Sequence, residues 1–183
     1  SRSTKARRLL EICKQAHLED RKVIVFSFFL DTLNQVHRIL GTRALDPITG
    51  STPTVMRQQL IDQFTAAKSA KVLIAQVQVG GVGLNIQAAS VIIFCEPQIK
   101  PSMETQAISR AYRMGQLRNV HVHRLLCVNT IDERMIKMLR GKQAEFDKYA
   151  EESIIGQESL KGQSESAWIK LLIQQEQALV ASL

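Results

Sequence analysis

The run KVIVFSFF, residues 22–29, decides the fold class of this chain of 183 residues. It is short, continuously apolar and rich in β-branched and aromatic residues, the pattern of a strand buried on both faces. Thr4 to Leu18, before it, carries apolar residues at helical spacing. After it, residues 32–40 are expected to form a second helix, with Asp31 as its cap and Gly41 at its end. A buried strand between two helices indicates a parallel sheet.

The alternation of strand and helix continues along the chain to about residue 146. Further strands are predicted at Leu45–Thr49, Lys71–Val77, Val91–Cys95 and His121–Val128. Further helices are predicted at Pro53–Ala66, Ser102–Gly115 and Ile131–Phe146. This pattern predicts an α/β fold with a mainly parallel sheet, helices on both faces and functional loops at the carboxyl ends of the strands. Residues 1–150 would form the domain, and residues 151–183 a polar linker with a C-terminal helical extension.

Charge and composition narrow the classes of partner. The net charge is +7, from 24 Lys and Arg against 17 Asp and Glu. A basic chain is typical of proteins that bind nucleic acid, although a basic surface without such a partner is about as common. No apolar run reaches the length that a membrane span needs. The cysteines, Cys13, Cys95 and Cys127, form no CxxC pair, so reduced thiols are expected and neither a disulfide framework nor a zinc site is indicated.

The segment QAISRAYRMGQ, residues 106–116, carries a candidate phosphate site. On a continuous helix, Gln106, Arg110 and Arg113 stand at i, i+4 and i+7 and share one narrow stripe. A neighbouring apolar stripe, suited to packing on the sheet, contains Met103, Ala107, Ala111 and Met114. Guanidinium groups match phosphate oxygens in charge and geometry. The alternative is a pair of arginines that are solvated or paired with carboxylates of a neighbouring helix.

Two further stretches could approach an anionic ligand. QVQVGGVGLN, residues 76–85, places glycines directly after a buried strand, where backbone N–H groups can approach a ligand closely or simply form a tight turn. TGSTP, residues 49–53, offers N–H groups and hydroxyls that could bind a phosphate or cap a helix. The sequence contains neither a GxxxxGK[ST] loop for a triphosphate nor an acidic DExx segment for magnesium.

Together and in this order, these stretches resemble the Swi/Snf-type branch of the superfamily-two helicase-like ATPases. VIVFSFFLDTL is similar to motif IV of that family, and TGSTP with Arg57 to motif IVa. VQVGGVGLNIQAASVIIF is similar to motif V, and QAISRAYRMGQ to motif VI. RAYRMGQ, preceded by GGVGLN and EPQIKP, is typical of the Swi/Snf branch rather than of RNA helicases. The resemblance extends from about Lys22 to Leu139.

The resemblance implies that this chain is the second of two RecA-like (P-loop NTPase-like) lobes with ATP bound between them. The first lobe would supply the phosphate loop and the acidic residues that hold Mg²⁺, so no metal ligands are expected in this chain. Arg113 would be the arginine finger, with Arg110 beside it and Gln106 in support. The full-length protein would hydrolyse ATP and translocate along duplex DNA, and this chain alone would be inactive.

The resemblance also implies which residues contact nucleotide and DNA. The residues expected near the nucleotide are Gly81, Gly83 and Asn85. The residues expected near the phosphates of one DNA strand are Ser27, Thr49, Gly50 and Ser51. Motif V usually begins with Ser or Thr, and here Gln76 or Gln78 would have to replace that hydroxyl.

The expected partners are double-stranded DNA and the first RecA-like lobe of the same protein. No membrane partner is expected, and the chain would be monomeric. It would lie in the cytoplasm with the nucleoid in a bacterium and in the nucleus in a eukaryote. EPQIKP lacks the Trp-Asn-Pro run that is usual in the family, a variant that favours a bacterial member. The alternatives are a nucleic-acid-binding module, an RNA helicase lobe or an interaction scaffold.

Overall fold

The computed structural model describes residues 3–68, 71–80, 86–98, 100–112 and 118–152. The chain forms two compact units, Ser1–Leu126 and Cys127–Leu183, and each is described by itself. The first contains a β-sheet covered by helices, and the second contains the long helix Ile131–Glu152, here called α6. None of the described helices is long and apolar enough to span a membrane.

The described part of the first unit alternates strands and helices. Its strands are β1 (Lys22–Ser27), β2 (Val72–Gln76), β3 (Ala89–Phe94) and β4 (His121–Arg124). Its helices are α1 (Thr4–Leu18), α2 (Leu30–Leu40), α3 (Thr54–Ala66), α4 (Val77–Gly80) and α5 (Pro101–Ala111), with a 3₁₀ turn at Gly41–Arg43. Gly41 ends α2 with a φ of 55°, a left-handed conformation that glycine adopts at little cost.

The four strands are parallel and lie in the order β2-β1-β3-β4. In the register of the sheet, Val25 of β1 lies opposite Ile74 of β2 and Ile93 of β3. The chain passes from β1 to β2 on one side and returns to β3 on the other, so the strand order reverses between β1 and β3. Open parallel sheets bind their ligands at the carboxyl ends of such a pair, so a ligand site is expected at this edge.

Helices cover both faces of the sheet, as the sequence predicts. Val23 and Val25 belong to one apolar cluster with residues of α1 and α2, and Ile24 and Phe26 to another with residues of α3 and α5. The rings of Phe26 and Phe94 stack in the second cluster with centroids 5.5 Å apart. Burial on both faces explains why β1 is apolar at every position from Val23 to Phe26.

The bounds of several elements differ from the prediction. Leu45–Thr49 does not form a regular strand; only the isolated parallel bridges Ala44–Val72 and Ile48–Ala75 mark this stretch. Pro47 lies between the two bridges and has no N–H to donate to a ladder, which accounts for the interruption. The strand predicted at His121–Val128 ends at Arg124, before a turn in which the Thr130 hydroxyl donates to the Cys127 carbonyl.

The helix predicted to begin at residue 32 begins two residues earlier, at Leu30, so Asp31 lies in its first turn and is not its cap. Helix α6 extends to Glu152, past the predicted end at residue 146. The predicted terminal helix and most of the predicted linker, from residue 153 onward, lie outside the described residues. The domain boundary at residue 150 stays a prediction.

Candidate functional site at the carboxyl ends of the strands

Helix α5 carries two of the three polar residues of the candidate phosphate site. Ala107 and Ala111 are completely buried, and Met103 packs against the same cluster, so this side of the helix faces the sheet. Gln106 and Arg110, one turn apart on another side, are exposed. The predicted division of this helix into an apolar and a polar stripe therefore holds for the described residues.

The predicted extent of α5 is wrong, so the helix does not determine the position of Arg113. The helix ends at Ala111, and Tyr112 leaves it in an extended conformation with φ −97° and ψ 117°. Helical spacing therefore does not carry the stripe from Arg110 to Arg113. Arg113 and Met114 lie outside the described residues, and the role of Arg113 stays a prediction from the motif.

A charged pair anchors α5 to the edge of the sheet. Glu104 in its first turn accepts a hydrogen bond from Arg124 of β4, with 2.6 Å between Oε2 and Nε. No local sequence pattern predicts this pair, because its members lie 20 residues apart. The contact restrains the amino-terminal half of the helix that carries Gln106 and Arg110.

The glycine-rich stretch after β2 begins with a short helical turn rather than a loop. Val77 and Val79 of this turn, α4, are buried, whereas Gln78 is exposed. Helix α4 packs against α5, so the start of the motif V segment lies next to the motif VI helix. The candidate nucleotide residues Gly81, Gly83 and Asn85 lie outside the described residues.

A buried carboxylate lies where the strand order reverses. Glu96, two residues past β3, is 8% exposed and accepts hydrogen bonds from the Ser27 hydroxyl at 3.0 Å and the Phe28 backbone N–H at 2.6 Å. Gln98 donates to the side chain of Glu96 at 3.2 Å and to its carbonyl at 2.9 Å. The carboxylate thereby holds residues 27–29, here called the β1 loop, against the segment that leads to α5.

Ser27 occupies a different environment from the one that a direct DNA contact needs. Its side chain is completely buried, and its hydroxyl bonds to Glu96 and accepts a bond from the Phe29 N–H at 3.1 Å. In this conformation Ser27 shapes the β1 loop from within. A contact between its hydroxyl and DNA stays a prediction and requires the loop to rearrange.

Residues 49–52 form a compact polar turn beside β2, here called the hydroxyl turn. The Thr49 N–H donates to the Thr52 hydroxyl at 2.9 Å, and the hydroxyls of Thr49 and Ser51 lie 2.9 Å apart. Arg57 of α3 donates to the carbonyls of Gly50 and Thr52 at 2.9 and 2.7 Å. Because Arg57 holds these carbonyls, its visible role is to shape the turn.

Gln76, the last residue of β2, joins the β1 loop to the hydroxyl turn. Its Nε2 donates to the Phe28 carbonyl at 3.2 Å, and its Oε1 accepts from the Gly50 N–H at 3.0 Å. Of the two glutamines proposed to replace the motif V hydroxyl, Gln76 is engaged within the lobe and Gln78 faces solvent. Both DNA contacts stay predictions.

Cys95 and His123 have shifted pKa values in this lobe. Burial raises the pKa of the Cys95 thiol to about 12, with a further contribution from the neighbouring Glu96 charge. Burial also lowers the pKa of His123, helped by the positive charges of Arg8 and His121. Within the described ranges, no three His, Cys, Asp or Glu side chains cluster closely enough to hold a metal ion.

Comparison with known proteins decides the family. Residues 4–115, more than half of the chain, match the family model described as the helicase conserved C-terminal domain. The chain belongs to this helicase C-terminal domain family. The predicted motifs V and VI overlap this match.

Relatives of this helicase C-terminal domain are ATP-dependent helicases. The chain is 35% identical over 142 residues to ATP-dependent helicase fft1 of Schizosaccharomyces pombe, covering 76% of this chain and 15% of that protein. It is also 35% identical over 143 residues to an uncharacterized ATP-dependent helicase of Mycoplasma genitalium, covering 77% of this chain and 14% of that one. The chain therefore spans about a seventh of the length of either relative.

A solved structure identifies the branch of the family. The SWI2/SNF2 ATPase core domain of Sulfolobus solfataricus superposes with a TM-score of 0.71 at 29% identity, covering 98% of this chain and 34% of that one. The chain is a RecA-like lobe of the Swi/Snf type, which confirms the resemblance that motifs IV to VI indicated.

Proposed function

We propose that this helicase C-terminal domain is the second motor lobe of an ATP-dependent translocase on double-stranded DNA. It would work with a first RecA-like lobe of the same protein, and ATP would bind between the two lobes. This lobe would supply guanidinium groups to the phosphates of ATP and hydrogen bonds to the backbone of DNA. By itself it would hydrolyse no ATP.

The observation that carries the proposal is the arrangement of α5. Its alanine face is buried on the sheet, while Gln106 and Arg110 are exposed outside the core. The motif VI sequence continues directly into Arg113. An arginine that reaches the γ-phosphate from a second lobe stabilises the charge of the transition state and typically raises the rate by about 10³–10⁵.

The DNA contacts are proposed for the carboxyl edge of the sheet. The hydroxyl turn presents hydroxyls and backbone N–H groups, which bind phosphate oxygens without reading bases. Contacts of this kind suit a motor that moves along any sequence. The positive charge of the chain, +7, would add a salt-dependent attraction to the DNA backbone.

Magnesium would be held by the first lobe. Mg²⁺ takes oxygen ligands such as carboxylates and phosphate oxygens, and the described residues of this lobe form no acidic cluster that fits it. The exposed Arg110 guanidinium does fit a phosphate group in charge and shape. The work of this lobe would therefore be to bind and orient the phosphates and to transmit lobe movement to DNA.

The proposal is tested by ATP hydrolysis of the full-length protein with and without duplex DNA. We expect Arg113→Ala to reduce the DNA-stimulated rate about 10³-fold or more, the lower end for an arginine finger, and Arg110→Ala to reduce it by a smaller factor. Arg38→Ala is the control, because Arg38 of α2 is, like Arg110 of α5, an exposed helical arginine. Hydrolysis by Arg113→Ala at the rate of the Arg38→Ala control would contradict the finger assignment.

The choice of nucleic acid is tested in the same assay. We expect duplex DNA to stimulate hydrolysis more than RNA of equal length at equal salt concentration. Greater stimulation by RNA would favour an RNA helicase lobe. Tight, salt-dependent DNA binding without any effect on hydrolysis would favour a plain nucleic-acid-binding module.

A further inference from the structure

We propose that Gln76 is a positioning residue whose carboxamide sets the spacing between the β1 loop and the hydroxyl turn. The proposal rests on the proposed function, in which the hydroxyl turn contacts the DNA backbone. Both ends of the Gln76 carboxamide are bonded within the lobe, so this role replaces the direct DNA contact that the sequence predicts for Gln76. Gln76 would hold the hydroxyl turn at a fixed distance from the β1 loop and so orient the turn toward a DNA strand.

The geometry of the carboxamide supports this role. Gln76 lies 48 residues from Phe28 and 26 residues from Gly50 in sequence, yet it hydrogen-bonds to the backbone of both. One end of the amide donates to a carbonyl of the β1 loop, and the other accepts from an N–H of the hydroxyl turn. A carboxamide holds a donating NH2 group and an accepting oxygen at a fixed separation, and a serine or threonine hydroxyl on a shorter side chain cannot span the same two partners.

The peptide groups on both sides of Phe28 are fixed by neighbouring strands. The carbonyl of Phe28 accepts from Gln76 of β2, and its N–H donates to Glu96 beyond β3. The β1 loop is therefore held between the two strands that flank β1 in the sheet. Of these two restraints, only that of Gln76 also reaches the hydroxyl turn.

The hydroxyl turn is restrained from two sides in the same way. Arg57 holds its carbonyls, and Gln76 holds the N–H of Gly50. The hydroxyls of Thr49 and Ser51 are thus part of a turn whose backbone is already ordered. A preordered turn loses less conformational entropy when a ligand binds, so it binds more tightly.

The consequence is an effect on DNA affinity that is separate from catalysis. Gln76→Met keeps the approximate length and volume of the side chain, adds no charge and removes both hydrogen bonds. In the full-length protein we expect the duplex DNA concentration that gives half-maximal stimulation of ATP hydrolysis to rise about tenfold, the effect of about 1.4 kcal/mol. The rate without DNA and the rate at saturating DNA should stay at the wild-type level.

A second readout separates positioning from the loss of a charge contact. The slope of DNA affinity against salt concentration reflects the number of phosphates that cationic groups neutralise. Gln76→Met removes no cation, so we expect an unchanged slope, whereas loss of a cationic phosphate contact would lower it by about one. Gln63→Met is the matched control, because Gln63 is exposed on α3. That variant should match the wild type in half-saturating DNA concentration and salt slope.

The outcomes separate this proposal from the proposed function. If duplex DNA does not stimulate ATP hydrolysis by the wild-type protein, both proposals are overturned. If DNA stimulates the wild type and the half-saturating DNA concentration of Gln76→Met is the same, only the role of Gln76 is overturned. A parallel fall in the DNA-free rate and the melting temperature would also overturn it, because Gln76 would then serve general stability alone.

Discussion

At the residue scale, the role of Glu96 could not be predicted from the sequence. Its carboxylate is nearly buried and accepts from a hydroxyl, a backbone N–H and a side-chain amide. Burying a charge is costly unless hydrogen bonds surround it, and here they do. The signal in the sequence is slight: an acidic residue immediately past a buried strand.

We expect Glu96→Ala to lower the free energy of unfolding by about 1–3 kcal/mol, since it leaves buried donors without an acceptor. Glu96→Gln should lower it by less. The oxygen of a carboxamide can still accept from the Phe28 N–H, while its NH2 group donates to the hydroxyl oxygen of Ser27. Urea denaturation of the chain measures both values.

Glu11→Ala is the control for this pair of variants. Glu11 pairs with Arg8 on the surface of α1, where both side chains are more than 60% exposed, and such pairs contribute little to stability. Stability of Glu96→Ala equal to that of Glu11→Ala would show that the buried network does not stabilise the lobe.

At the element scale, the hydroxyl turn depends on the helix that follows it. Helix α3 begins at Thr54 without a side-chain cap, and Arg57 in its first turn reaches back to the carbonyls of Gly50 and Thr52. The planar fork of arginine can hold two carbonyls at once, which a lysine ammonium on a flexible stem does less well.

We expect Arg57→Ala to loosen the turn without unfolding the lobe, because the freed carbonyls can bind water. The protection of the Gly50 and Thr52 N–H groups against hydrogen exchange should fall by about tenfold or less, corresponding to about 1 kcal/mol of local stability. Arg57→Lys should give an intermediate value. Unchanged protection in both variants would mean that the turn is ordered by its own hydroxyls and Gln76.

At the scale of the whole molecule, two apolar layers enclose the sheet and exclude solvent from the side chains buried in them. Cys13 of α1 and Cys95 beyond β3 are both buried in the layer formed with α1 and α2. Burial raises the pKa of each thiol to about 12 from an ordinary value of 9.0, because the thiolate is poorly solvated there.

We expect iodoacetamide at pH 8 to modify half-buried Cys127 at least a hundredfold faster than Cys13 or Cys95. With a pKa of about 12, only about one buried thiol in 10⁴ is ionised at that pH. Mass spectrometry of the native chain measures the three rates, and all three cysteines should react alike in denaturant. Equal rates in the native chain would show that this layer opens readily.

The same shift has a consequence for alkaline stability. Between about pH 9 and 12 the unfolded chain releases the thiol protons while the folded chain retains them, so the free energy of unfolding falls as the pH rises. The contribution of the buried thiols is therefore complete below pH 9 and is lost toward pH 12.

The sequence by itself determined the parallel α/β class, the burial of β1 on both faces and the family. Strand burial depends on the apolar character of consecutive residues, and the motifs are contiguous, so local patterns were sufficient for both. The same local patterns overextended α5, since neither glycine nor proline marks its end at Ala111.

Only the tertiary structure decided how the polar residues at the carboxyl edge pair. Glu96 reaches Ser27 across 69 positions, and Gln76 reaches Phe28 across 48. These pairs form because β2 and β3 lie on either side of β1. Strand order arises from how the helices pack on the two faces, which no local pattern records. The sequence therefore could not predict that Ser27 and Gln76, two residues expected near DNA, also hold the loops in place.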